Sequence, residues 1–143
     1  VEDVPVGPGK NSLKKGELIE AIELPARKGK SGDAYLRFIP RSEMDIAVVS
    51  AGVSLTLGDK GVIKDARVSL GAVAPTVLLV KAAAKAIIGT KLDEAALEKL
   101  GQAASAACSP IDDKRGTIEF RTKVAAVLAK RAAQIAYKRA GGK

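Results

Sequence analysis

The sequence contains no histidine and no tryptophan, and only two phenylalanines and two tyrosines. Without imidazole there is no His-based acid–base catalysis, no serine or cysteine triad that relies on it, and little basis for a zinc site. An aromatic content of 3% excludes a surface built to stack successive bases of a single strand. The one cysteine, Cys108, cannot close an intrachain disulfide, which predicts a reducing compartment, the cytoplasm. The longest near-apolar run, Gly71 to Val80, is too short to span a bilayer, and no signal-peptide pattern opens the chain. No membrane contact is expected. A start at Val1, followed at once by loop-like residues, predicts a piece of a longer protein. Solitary catalysis is not expected.

What is present points to one domain. A length of 143 residues, 47% of them hydrophobic, suffices for one core and is too short for two. That core must be built from Ala, Val, Leu and Ile. The formal net charge is +8, and the whole surplus lies between Lys114 and Lys143, where nine Lys or Arg accompany one acid, Glu119. Charge confined to a terminal helix is either an electrostatic footprint or the solvated face of an amphipathic helix with a basic end. No nucleic-acid motif accompanies it, so nucleic acid is not expected as a partner.

Along the chain, Val1 to Gly16 is punctuated by Pro5, Gly7, Pro8, Gly9 and Gly16 and reads as a connector. Glu17 to Leu24 alternates imperfectly and stops at Pro25, which predicts a short strand. Ala26 to Asp33 reads as a basic, Gly-rich loop. Tyr35 to Asp45 is a short extended piece broken by Pro40 and a polar turn. Ile46–Leu57 and Val62–Val73, joined by Gly58-Asp-Lys-Gly61, read as a hairpin. Beyond Pro75 the period changes. Helices are expected near 81–88, 93–107 and 119–140, the last with Val124, Val127, Leu128, Ala132 and Ile135 on one face. The expected fold class is α+β: a three-stranded antiparallel sheet followed by three helices packed on one face.

Most motif matches fail on context. Gly29-Lys30-Ser31 has the end of a phosphate-binding loop, but the first Gly would fall at Leu24 and no helix follows. Asp112-Asp113 before a helix reads as capping rather than a metal pair. Cys108, near the end of an Ala-rich helix, reads as a small buried thiol. No catalytic or metal-binding residue is assigned. More informative is the gathering of Tyr35, Arg37, Arg41 and Asp45 around one turn before an apolar strand. On residue types alone it is either a functional cluster or a tyrosine at a sheet edge with surface ion pairs.

The stretch Tyr35-Leu-Arg-Phe-Ile-Pro-Arg-Ser-Glu-Met-Asp-Ile-Ala-Val-Val-Ser-Ala-Gly resembles the start of the C-terminal domain in the FAD-binding (medium) subunits of molybdenum hydroxylases. That family includes carbon monoxide dehydrogenase, xanthine dehydrogenase and hydroxybenzoyl-CoA reductase. Three further blocks agree in order and spacing: Gly7-Pro-Gly-Lys-Asn-Ser-Leu-Lys-Lys-Gly-Glu-Leu-Ile, Ala66-Arg-Val-Ser-Leu-Gly-Ala-Val-Ala-Pro-Thr, and Ile111-Asp-Asp-Lys-Arg-Gly-Thr-Ile-Glu-Phe-Arg.

The resemblance implies an oxidoreductase complex. Substrate would be oxidised at a molybdenum cofactor on a large subunit, and electrons would pass through iron–sulfur clusters on a small subunit to FAD and then to an acceptor. Residues 17–143 would be the C-terminal domain of the medium subunit, and residues 1–16 the connector from FAD-binding subdomains not in this sequence. By the same resemblance Tyr35 covers one face of the isoalloxazine, standing exposed beside Arg41 and Lys64. Asp45 anchors the turn by accepting hydrogen bonds from Arg41 or backbone N–H groups. Lys64 is the cation that stabilises the anionic reduced flavin. The phosphate-holding loops belong to the subdomains outside this sequence, so this chain alone is expected to bind FAD weakly or not at all. Two rival readings are a basic helix binding nucleic acid through Lys123, Lys130, Arg131, Lys138 and Arg139, and a purely structural subunit-interaction module.

Overall fold

The computed structural model describes residues 1–27, 29–42 and 45–142, so Lys28, Glu43, Met44 and Lys143 lie outside the described residues. In chain order the elements are β1 (Pro5–Gly7), β2 (Lys10–Asn11), β3 (Lys30–Phe38), β4 (Val49–Leu57), β5 (Ile63–Gly71), β6 (Leu78–Leu79), α1 (Lys81–Ile87), α2 (Glu94–Ala106) and α3 (Ile118–Arg139). Strands β3, β4, β5 and β6 form one antiparallel sheet in that spatial order, and β1 pairs with β2 separately.

The α+β class and the three helices agree with expectation; the sheet does not. It has four strands instead of three, because Leu78–Leu79 adds a short edge strand beside Ser69 and Leu70. The expected strand at Glu17–Leu24 is irregular and exposed, since no neighbouring strand offers it a ladder. The strand that fills that place in the sheet starts at Lys30, inside the expected loop, and carries the Tyr35 block. The connector contains the small β1–β2 hairpin.

Helix α3 lies across β3 and β4, α1 lies on β5, and α2 bridges α1 and α3. Residues Ala34, Ala51, Val53, Leu55, Ala66, Val68 and Leu70 point to this layer and are buried. The buried stripe of α3 is narrower in side-chain size than the periodicity suggests: Ala125, Leu128, Ala129, Ala132, Ala133 and Ala136 face the sheet, while Val127 is exposed. Small side chains let the helix backbone approach closely. At Gly32 the approach is so tight that a Cβ would stand 2.2 Å from the Ala136 carbonyl oxygen and 2.6 Å from the Ala140 nitrogen. The far end of α3 is pinned by Tyr137, whose hydroxyl donates to the Gly61 carbonyl in the β4–β5 turn at 2.8 Å.

The near end is held by Arg121, only 3% exposed. Its guanidinium donates to the carbonyl oxygens of Val48 (2.6 Å), Ala72 (3.5 Å) and Gly116 (3.3 Å), and to Asp113 Oδ1 at 2.6 Å. One side chain thus joins the start of β4, the exit of β5 and the loop leading into α3. The Ile111–Arg121 block builds this clasp. Asp113 also accepts from the Arg115 and Gly116 N–H groups, Asp112 accepts from Ile118 N–H, and Thr117 caps the helix through Phe120 N–H. The acidic pair therefore shapes the turn before the helix, with Thr117 as the cap itself.

Two substitutions isolate these constraints. Arg121→Met strands the buried Val48 carbonyl, breaks the contacts to Ala72 and Gly116 and removes the cationic partner of Asp113, so urea unfolding is expected to show a loss of about 3 kcal/mol or more. Gly32→Ala forces backbone against backbone and is expected to cost about 1–3 kcal/mol. Hydrogen bonds, first from Arg115 N–H and then from Arg121, hold the Asp113 carboxyl below the usual carboxylate range. A depressed folded-state value means the stabilisation is present above the unfolded value, about pH 4, and is lost as pH falls through the folded value. Stability measured against pH is therefore expected to fall on the acid side, and Asp113→Asn to make that fall shallower.

Candidate functional site

Because the helices cover one face of the sheet, the other face of β3, β4 and β5 carries the alternate residues. Tyr35 pairs in register with Gly52 and Gly52 with Ser69; one step along, Asp33 pairs with Ser54 and Ser54 with Arg67. The result is a row of small residues across the middle of the sheet with Tyr35 on its outer strand. Tyr35 is 64% exposed. A Cβ built on Gly52 would lie 3.7 Å from the Tyr35 ring and 2.7 Å from Ser69 Oγ, so the glycine keeps this floor flat. Ser69 donates to the Gly52 carbonyl at 3.4 Å, and Ser31 shares a hydrogen bond with Thr56 farther along the same face.

Above this floor lies a groove of about 930 Å³. Its walls are the N-terminal segment, through Ile19 and Ile22, and the stretch around Val77 and Leu79. Ile19, Ile22 and Val77 are exposed, an apolar lining without a core to join. Among the described residues, ion pairs of Arg67 with Glu2 and of Arg27 with Asp33 tie the N-terminal segment to the sheet.

The structure separates the residues expected to stand together. Arg41 and Asp45 sit beyond the C-terminal end of β3, where Arg41 donates to Asp45 through Nε (3.3 Å) and Nη2 (3.2 Å). The Asp45 carboxylate, 2% exposed, also accepts from Ile46 N–H at 2.8 Å and lies 3.7 Å from Arg115. The hydrogen bond from Arg41 holds its carboxyl below the usual range, with Ile46 N–H and the charge of Arg115 adding to it against the effect of burial. Asp45 thus anchors the turn, and Arg115 links that turn to the loop before α3.

Lys64 lies at the opposite end of the sheet, beside Gly58 of the hairpin turn. It is the extra residue of a β-bulge, since Thr56 pairs with Asp65 and Leu57 with Ile63. The bulge shifts the phase of the strand, which is why neither face reads as purely apolar at its start. Ser69, level with Tyr35, is five residues from Lys64, roughly 16 Å at strand spacing. Lys64 is therefore not beside Tyr35, contrary to the expectation. The floor residues Gly52, Ser54, Arg67 and Ser69 do not stand out in the sequence; their signal is the alternation of small polar residues through β4 and β5.

Other candidates resolve simply. Among the described residues no group of His, Cys, Asp or Glu is arranged to hold a metal. No helix among them is long and apolar enough to cross a membrane. Cys108 is half-buried, donates to the Ala104 carbonyl, and is pushed up by desolvation, away from the reactive thiolate. On the basic helix, Lys123 pairs with Glu119, Lys130 with Glu98, and Arg139 donates to the Asp33 carbonyl.

Known proteins share this sequence and fold. The family model described as the CO dehydrogenase flavoprotein C-terminal domain matches residues 34–136. The carbon monoxide dehydrogenase medium chain of Afipia carboxidovorans is 38% identical over 129 residues, covering 90% of this chain and 44% of that protein. A putative xanthine dehydrogenase FAD-binding subunit of Escherichia coli K12 is 28% identical over 138 residues, covering 96% of this chain and 47% of its own length. A solved structure of reconstituted CO dehydrogenase from Oligotropha carboxidovorans superposes with a TM-score of 0.91 at 36% identity, over 96% of this chain and 48% of that one. The chain spans about half the length of these relatives. With its family match running from β3 almost to the end of α3, this chain belongs to the CO dehydrogenase flavoprotein C-terminal domain family.

Proposed function

We propose that this chain is the C-terminal domain of the FAD-binding subunit of a molybdenum hydroxylase, and that the open face of β3, β4 and β5 covers one side of the flavin ring. Tyr35 carries the reading. It is a large aromatic with no core role, left exposed over the side-chain-free Gly52 on the sheet face that no helix covers. The residues around it fit a flat aromatic group. Gly52 puts no side chain beside the Tyr35 ring, Arg67 brings a guanidinium and Ser69 a hydroxyl, and Ile19, Ile22 and Val77 bring apolar walls.

FAD, when bound, accepts electrons and passes them on; the residues of this chain orient the ring and keep water from one of its faces. Tyr35 stacks, contributing about 0.5–1.5 kcal/mol beyond the area it buries. Asp45 and Arg41 hold the turn that fixes the end of β3 and so the position of Tyr35. Lys64, at the hairpin end, stands outside the ring contact. In this reading residues 1–16 connect to FAD-binding subdomains and residues 17–143 form the domain proper. In the same reading the subunit belongs to a cytoplasmic complex with a molybdenum-cofactor large subunit and an iron–sulfur small subunit; the relatives' names, a carbon monoxide dehydrogenase medium chain and a xanthine dehydrogenase FAD-binding subunit, support its place as the FAD-binding member. The domain supplies no general base, in keeping with its lack of histidine.

The purified 143-residue chain is expected to be colourless; stoichiometric yellow flavin on it would contradict the assignment of the phosphate-binding loops to other subdomains. In the flavin-loaded subunit, Tyr35→Ala is expected to shift the flavin absorbance while leaving unfolding free energy within about 0.5 kcal/mol, as at an exposed site. An unchanged spectrum together with a destabilised domain would show that Tyr35 serves packing and not the ring.

A further inference from the structure

Among the described residues, Arg67 is a side-chain cation that lines the same groove as Tyr35. It stands on β5, two residues from Ser69 and on the same open face, level with Ser54 of β4 and Asp33 of β3. Two strand spacings across and two residues along put its Cα about 12 Å from that of Tyr35. An arginine side chain and a three-ring ligand together span that interval. Arg67 lines the same groove as Tyr35, and its side chain is 62% exposed. It pairs with Glu2, on the N-terminal segment that forms the facing wall. The guanidinium is thus already engaged by a carboxylate at the rim of the cavity, in the place where an anionic ligand group would compete for it.

We propose that Arg67 is the electrostatic partner of the flavin in this groove, facing the electron-rich edge of the ring, with Glu2 as the carboxylate that tempers its charge. The inference rests on the flavin reading above and extends it to a residue on the floor of the groove. Uptake of two electrons and one proton leaves one negative charge on a flavin. A fixed guanidinium favours that form over the neutral oxidised one, and a neighbouring carboxylate opposes it. Arginine suits this task because it stays charged and presents several donors in a rigid plane.

The test is a dye-mediated redox titration of the flavin-loaded subunit with a chemical reductant as electron source. Arg67→Met is expected to weaken binding of reduced relative to oxidised flavin about tenfold, which lowers a two-electron midpoint potential by about 30 mV. Arg67→Lys is expected to retain most of the wild-type potential, Glu2→Gln to raise it, and Lys64→Met to leave it unchanged. Arg67 is exposed, so these variants fold. If Arg67→Met leaves the potential unchanged while Tyr35→Ala alters the absorbance, the role of Arg67 is overturned and the flavin reading stands. If Lys64→Met lowers the potential as much as Arg67→Met, the specific place given to Arg67 is also overturned. If none of the variants moves spectrum or potential, the flavin reading itself falls, and Arg67 with it.

Discussion

The fold depends most on one buried charge. Arg121 reaches from the first turn of α3 into the gap between the start of β4 and the exit of β5, and its donors find Val48, Ala72, Gly116 and Asp113. A guanidinium removed from water is costly unless its donors are met, and here each of its three nitrogens has at least one acceptor. The interaction fixes where α3 begins. The Tyr137 hydroxyl on Gly61 then fixes where it ends, and between those two points a stripe of alanine lets the helix settle onto β3 and β4.

A helix layer held this firmly on one face leaves the other face free of packing duties. That freedom explains the composition of the open side: Gly52, Ser54 and Ser69 at the centre, Tyr35 exposed, and charged residues toward the ends. Tyr35 is held in place by ladder hydrogen bonds on a nine-residue strand, and that strand is anchored past its end by the carboxylate of Asp45. The rigid half of the domain and the half proposed to meet the flavin are therefore two faces of one sheet. Arg115, which reaches Asp45 from the loop that also feeds Arg121, couples them.

Much of this was legible in the sequence. The β4–β5 hairpin, the change of period after Pro75 and all three helices follow from pattern and punctuation, and the turn after Tyr35 stands out by its gathered charges. Other features leave no local trace. The bulge at Lys64 changes which residues share a face, and nothing in Val62–Val73 announces it. Burial of Arg121 depends on carbonyls some 49 and 73 residues away in sequence. Glu17–Leu24 has nearly the alternation of a strand but no partner edge. The groove floor is visible as alternating small residues; what could not be read was which face the helices would leave uncovered. That choice belongs to tertiary packing, and it puts Tyr35 and Arg67 along one groove, while Lys64 is set apart by its place at the far end of β5.

The central claim is that the flavin ring lies on the open face of the sheet against Tyr35, and a crystal structure of the flavin-loaded subunit tests it directly. The expected result is an isoalloxazine over the Tyr35–Gly52–Ser69 row, with ring centroids of flavin and tyrosine about 4.5–7 Å apart. A flavin bound on the helix side of the domain, or one whose ring makes no contact with β3, would contradict the account.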